Sequence, residues 1–154
     1  MTLYFAYGSN MHRAAVQLRW LDARAVGPAW LDGYAFFLGI DGWGSVKPEA
    51  GGSVHGVLWR LTPRDITALH ARELPYAGLY DVRYLPVRSG VQLVSAMIYL
   101  LRRRATGRPK PGHVEMIAAA ARAWELPEAY VHSVEPWRTS RLIGARVLGV
   151  GELA

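Results

Sequence analysis

The sequence predicts an α/β chain of the mixed α+β kind: one small domain, residues 1–154, with a largely antiparallel sheet or barrel flanked by helices. Three observations predict it. At 154 residues the chain can bury one hydrophobic core and has no room for two comfortable ones. Tyr80–Arg88 and Gln92–Leu101 are strand-like runs joined around Ser89-Gly90, which reads as a hairpin and hence as antiparallel pairing. Helical spacing recurs between strand-like runs, with no internal repeat, linker or low-complexity tract.

The elements follow in order. Leu3–Ala6 is a short apolar and aromatic run, read as the first strand, and it ends in the turn formers Tyr7-Gly8-Ser9-Asn10. Met11–Leu18 has helical spacing, with Met11, Ala14, Ala15 and Leu18 on one face and Ser9 or Asn10 as N-cap. Asp32-Gly33 signals a turn before a strand at Tyr34–Leu38. Five glycines between positions 39 and 53 mark a loop-rich segment, after which Ser53–Leu61 alternates as a strand. Thr62-Pro63-Arg64-Asp65 opens a helix, with Thr62 as cap and Pro63 in the first position; Leu74-Pro75 closes it. His113–Trp124 is an alanine-rich helix with Met116, Ile117 and Ala120 inward, and a shorter helix runs from Pro127 toward Ser133. Arg146–Val150 reads as a last strand.

Composition excludes several classes. There is no cysteine, so disulfides, thiolate ligands and a cysteine nucleophile are absent. No apolar run approaches the roughly 18 residues of a membrane span, and the opening Met1–Ala6 lacks the pattern of a signal peptide, so a cytoplasmic address is expected by default. The net charge of +6 raises the question of nucleic acid, but no binding motif accompanies it, and nucleic acid is not expected as a partner. The densest basic cluster, Arg102-Arg103-Arg104 with Arg108 and Lys110, reads as a solvated loop after a strand. Trp59 and Trp124 sit where core packing explains them better than base stacking does. Phosphate-loop, dinucleotide and nucleophile-elbow patterns are missing, and the five histidines never pair at i,i+4, so no metal site is expected.

Two features carry chemistry. The first is Tyr7-Gly8-Ser9-Asn10, a strand-to-helix junction where free N–H groups can receive a carboxylate or an oxyanion and Gly8 lets a ligand approach the main chain. The plainer reading is that these residues only turn and cap. The second is Glu73. In a helix starting near Pro63, Ile66, Leu69 and Glu73 share one face, so Glu73 is expected to point inward from the last turn. Burial and the helix dipole both favour a protonated carboxyl there, which suits acid/base work near neutral pH. A glutamate turned to solvent, or paired with Arg72 or Arg83, accounts for the same spacing.

Taken together these segments resemble one family. Tyr4–Asn10 is similar to the opening signature of gamma-glutamylcyclotransferases, and Val54–Trp59 to the strand before their catalytic helix. Leu69, Glu73 and Gly78-Leu79-Tyr80 have the spacing of the family's catalytic glutamate and following Gly-x-Tyr. Pro109-Lys110-Pro111, Leu126–Tyr130 and Glu135-Pro136 resemble its C-terminal helices. The resemblance implies a gamma-glutamylcyclotransferase-like fold and a cofactor-independent enzyme acting on a small gamma-glutamyl peptide or amine. In that reading Glu73 shuttles a proton while the α-amino group attacks the side-chain carbonyl, releasing 5-oxoproline. Tyr7, Gly8, Ser9 and Asn10 hold the glutamyl moiety, and Tyr80 shapes the pocket. His113 stands where relatives often have a substrate-contacting tyrosine, and Leu74 where many have glycine. Two other classes remain open: a non-catalytic module of the same fold that binds a small carboxylate or a protein, and a basic nucleic-acid-binding domain. The oligomeric state is open too, a homodimer included.

Overall fold

The computed structural model describes residues 1–20, 22–73 and 78–139, with the side chain of Glu73 outside that description. Five strands form it around a closed barrel: β1 (Thr2–Ala6), β2 (Arg24–Leu38), β3 (Gly44–Leu61), β4 (Tyr80–Ser89) and β5 (Gln92–Leu101). Their order is β1-β3-β2-β4-β5. All neighbours are antiparallel except β1 and β5, which close the barrel in parallel at Tyr4 and Met97. Four helices complete it: α1 (Arg13–Arg19), α2 (Pro63–Glu73), α3 (His113–Ala123) and α4 (Glu128–Val134). The mixed α+β reading, with a largely antiparallel barrel flanked by helices, matches this architecture.

Strand alternation separates two apolar layers. Phe5 lies opposite Leu58 in the β1–β3 register, and both are fully buried with Ile98. Tyr4 lies opposite Trp59 and therefore faces the other way. That outer face is the one the helices cover, since Trp20 meets Tyr4 edge-on and Trp124 meets Trp59 edge-on. The barrel is thus filled by its own side chains.

The β4–β5 hairpin turns between Ser89 and Gln92 as expected. The opening of α2 is a reciprocal cap: Thr62 Oγ1 accepts the Asp65 N–H at 3.1 Å, and Asp65 Oδ2 accepts the Thr62 N–H at 2.9 Å. Leu69 is fully buried on α2, with Ile66 packed against the core.

Several local expectations need correction. The first helix does not start at Ser9 or Asn10. Ser9–Met11 is a single 3₁₀ turn, and α1 begins after His12, whose Nδ1 accepts the Ala15 N–H at 3.2 Å. This break rotates the helix, so Val16 and Trp20 are buried while Leu18 is 82% exposed. Asp32-Gly33 is a bulge inside the long β2 strand, with the β3 register shifting between Asp32 and Tyr34. Across from it, Gly51 and Gly52 lie within β3 instead of in a loop. A side chain at Gly52 would come within 2.5 Å of the Tyr34 carbonyl, so the two backbones approach more closely there than any other residue permits. On α3 the buried face is Val114, Ile117, Ala118 and Ala121 with Ala120, and Met116 is exposed. The strand expected at Arg146–Val150 lies outside the described residues, as does the Leu74-Pro75 stop of α2.

Candidate functional site

A cleft of about 90 Å³ opens at the β1–β5 seam, lined by Tyr4, Tyr7, Gly8, Ser9, Asn10, Trp43, Gly44, Tyr80, Tyr99 and His113. Six of the seven residues expected from sequence are therefore brought to one place. The seventh, Glu73, ends α2, and the expected inward course of its carboxyl falls outside the described part of the structure.

The Tyr7–Asn10 segment owes its shape to partners far away in sequence. Its turn closes through the Met11 N–H to the Gly8 carbonyl at 3.0 Å. Two indoles hold it from below: Trp59 Nε1 donates to the Asn10 carbonyl at 3.1 Å, and Trp124 Nε1 to the Met11 carbonyl at 2.7 Å. The Asn10 side chain is buried and already engaged, donating to the Tyr4 hydroxyl at 3.0 Å and accepting from Arg19 at 2.8 Å. The Tyr7 hydroxyl donates to the Tyr99 carbonyl at 2.6 Å, which latches the end of β1 to β5, and burial pushes its pKa well above the usual phenol value. What this leaves at the cleft is the Ser9 hydroxyl and the main chain. Among the described residues, no acceptor takes the N–H groups of Gly8, Ser9 or Asn10. These groups come from a single 3₁₀ turn instead of the N-terminus of the following helix, which starts only after His12.

Gly8 has no packing reason to be glycine. A Cβ built there meets nothing within 4 Å. The open volume is the cleft itself. Gly8→Ala, which puts a methyl into that volume, is expected to lower kcat/KM by about 10–200-fold, the effect of one misplaced methyl in a binding pocket. Wild-type turnover in that variant would show that ligand does not approach the main chain at this point.

Three phenols form the floor. Tyr99 lies edge-on between Tyr4 and Tyr80, with ring centroids 6.4 and 6.3 Å away. The Tyr99 hydroxyl is hydrogen-bonded to His70 Nδ1. That bond ties the last turn of α2 to the cleft wall, three residues before Glu73.

His113 makes the opposite wall with Trp43, their rings perpendicular at 5.1 Å. Gly112, left-handed at φ +76°, turns the chain into α3 so that His113 is its first residue. His113 is buried, and its Nε2 accepts the Gly44 N–H at 3.1 Å, which requires a neutral ring. Burial lowers its pKa from the ordinary 6.5, and burial lowers that of His55 as well, against a smaller opposing pull from Asp32. Because the unfolded chain binds these protons more tightly, stability is full above about pH 6.5 and falls as pH drops below it. Thermal melts between pH 7 and pH 5 should show this loss, and His113→Gln should lose less. An identical acid slope in the variant would remove His113 from the account.

Four lining residues escaped the sequence reading: Tyr4, Trp43, Gly44 and Tyr99. Tyr4 carried a usable signal, since it lies in the same segment as Tyr7–Asn10. Tyr99 did not, because nothing local places β5 beside β1. Trp43 was hidden in the glycine-rich stretch.

Comparison with known proteins agrees with this geometry. The family model described as "Gamma-glutamyl cyclotransferase, AIG2-like" matches residues 4–124. The gamma-glutamylcyclotransferases of Mus musculus and Homo sapiens are 28% and 26% identical to the chain, each alignment covering 87% of it and 79% of the relative. A solved structure titled "Gamma-glutamyl cyclotransferase" shares the fold, with a TM-score of 0.79 at 23% identity over 87% of this chain and 86% of the other. Most of the described fold, from β1 through α3, falls within the family match, and so does every residue of the cleft. The chain belongs to the gamma-glutamyl cyclotransferase, AIG2-like family and is an enzyme of that kind.

Proposed function

We propose that the protein releases 5-oxoproline from a gamma-glutamyl peptide or gamma-glutamyl amine by intramolecular aminolysis, with Glu73 as the general acid/base. The observation that carries this reading is the convergence of the Tyr7–Asn10 turn, Tyr80 and His113 on one cleft, to whose wall His70 ties the last turn of α2. The substrate's α-amino nitrogen attacks the γ-carbonyl carbon, closing a five-membered lactam. Glu73 takes a proton from that nitrogen and returns it to the departing one as the original amide bond breaks. No water is consumed. Nucleophile and electrophile belong to one bound molecule, so the protein's task is to fold the substrate back on itself and move one proton. The unengaged N–H groups of Gly8, Ser9 and Asn10 suit a carboxylate or the oxyanion of the tetrahedral intermediate.

The direct test is release of 5-oxoproline from a panel of gamma-glutamyl dipeptides and gamma-glutamyl amines, followed by chromatography. Stoichiometric 5-oxoproline and free amine are expected from at least one member. Formation of free glutamate instead would mean that water, not the α-amino group, attacks, and would overturn the reading.

A further inference from the structure

The basic segment that reads from sequence as a solvated loop does not stay clear of the cleft. Residues 102–112 carry four arginines and Lys110 without one acid. The fold laces this loop to the tip joining β2 and β3. Gly39 and Thr106 form a β-bridge, the Gly107 N–H donates to the Leu38 carbonyl at 3.2 Å, and the Lys110 N–H donates to the Gly42 carbonyl at 3.0 Å. On its other side the Lys110 carbonyl accepts the His113 N–H at 3.0 Å. The Lys110 backbone is thus fixed between Trp43 and His113, two walls of the cleft. Its ammonium lies 5.8 Å from the centre of the Trp43 ring. Asp41 is the acid of the hairpin tip and Glu115 that of the first turn of α3; neither forms an ion pair with Lys110 among the described residues.

We propose that Lys110 sets the substrate class at this end of the cleft, selecting leaving amines that carry a carboxylate, as amino acids and peptides do, over neutral amines and over amines with a second ammonium. The inference rests on the cyclotransferase reading of the same cleft. With the glutamyl moiety on the Tyr7–Asn10 turn, the departing amine extends toward Trp43 and His113. A bare tryptophan face attracts cations. An ammonium already held over that face reverses the preference, and among the described lining residues none carries a charge, His113 being neutral. A carboxylate on the carbon next to the leaving nitrogen then finds a positive edge, and an ammonium meets repulsion.

The experiment compares kcat/KM for 5-oxoproline release from three leaving groups of matched size: alanine, alaninamide and a short diamine, each joined to the gamma-carboxyl of glutamate. The full chain is used as wild type, Lys110→Met and Lys110→Glu, at low salt and at high salt. Wild type is expected to favour the alanine compound over the amide by about fivefold, the upper range for an exposed charge pair. Salt should shrink that ratio. Lys110→Met should level the two, and Lys110→Glu should place the diamine first. Equal wild-type rates on acid and amide, or an order unchanged in Lys110→Glu, would overturn the assignment while leaving the cyclotransferase reading intact. Absence of 5-oxoproline from all three substrates, with the protein folded by circular dichroism, would overturn both.

Discussion

Glu73→Gln is expected to reduce 5-oxoproline release by about 10²–10⁴-fold in kcat, the usual contribution of a positioned acid/base group. The substitution keeps size and hydrogen-bonding capacity but removes the ability to take a proton from the attacking nitrogen and return it to the leaving one. Substrate binding should change far less, because the groups facing the cleft from Tyr7–Asn10, Tyr80 and His113 are untouched. Stability should hold or rise slightly. Glu73 is the last residue of α2, where the helix dipole disfavours an anion, and neutralising it there contributes about 0.3–1 kcal/mol to the folded state. The outcome to look for is a collapse of kcat with a preserved melting temperature. A variant retaining more than a tenth of wild-type turnover would show that another group carries the proton.

Trp59→Ala has the second largest expected effect, and it acts through the fold. Trp59 is 1% exposed, meets Trp124 edge-on at 5.9 Å and supports the Asn10 carbonyl through its indole nitrogen. Truncating a buried tryptophan costs about 3–5 kcal/mol, which for a chain of this size lowers the melting temperature on the order of 10 °C. Trp59→Phe separates the two roles. It keeps most of the buried ring but leaves the Asn10 carbonyl without its donor, a loss of about 1–3 kcal/mol. Since that carbonyl belongs to the turn presenting the Gly8–Asn10 N–H groups, KM should rise in Trp59→Phe at temperatures where the protein is fully folded. A wild-type KM there would mean the turn keeps its shape without the indole.

The elements most legible in the sequence are those whose signals are local. The Thr62–Asp65 cap is complete within four residues, and the structure contains both of its hydrogen bonds. The Ser89-Gly90 hairpin is equally self-contained. Errors cluster where a distant backbone overrules the local pattern. Gly51-Gly52 looks like loop because two glycines weaken a strand, yet they are there to let β2 and β3 approach at a bulge. The α1 face was misjudged because the indoles of Trp59 and Trp124 hold Asn10 and Met11 in a separate 3₁₀ turn, so the helix starts late and its inward stripe moves to Val16 and Trp20.

The candidate site divides along the same line. The sequence singles out the candidate residues, through the Tyr7–Asn10 segment, the spacing of Glu73 with Gly78-Leu79-Tyr80, and His113 at the head of its helix, because side-chain type and short spacing are written directly in the chain. Which of their polar groups are engaged in holding the frame depends on the tertiary fold. The Asn10 amide and the Tyr7 hydroxyl are engaged by Tyr4, Arg19 and Tyr99, which leaves the Ser9 hydroxyl and the main-chain N–H groups of Gly8, Ser9 and Asn10 without a partner among the described residues. Tyr99 and Trp43 become walls, and the Lys110 backbone is fixed beside Trp43 and His113, because the barrel closes β5 against β1 and the loop after β5 packs on the β2–β3 tip. Those contacts join residues tens of positions apart, and no local propensity encodes them, since they depend on the register in which the whole barrel closes.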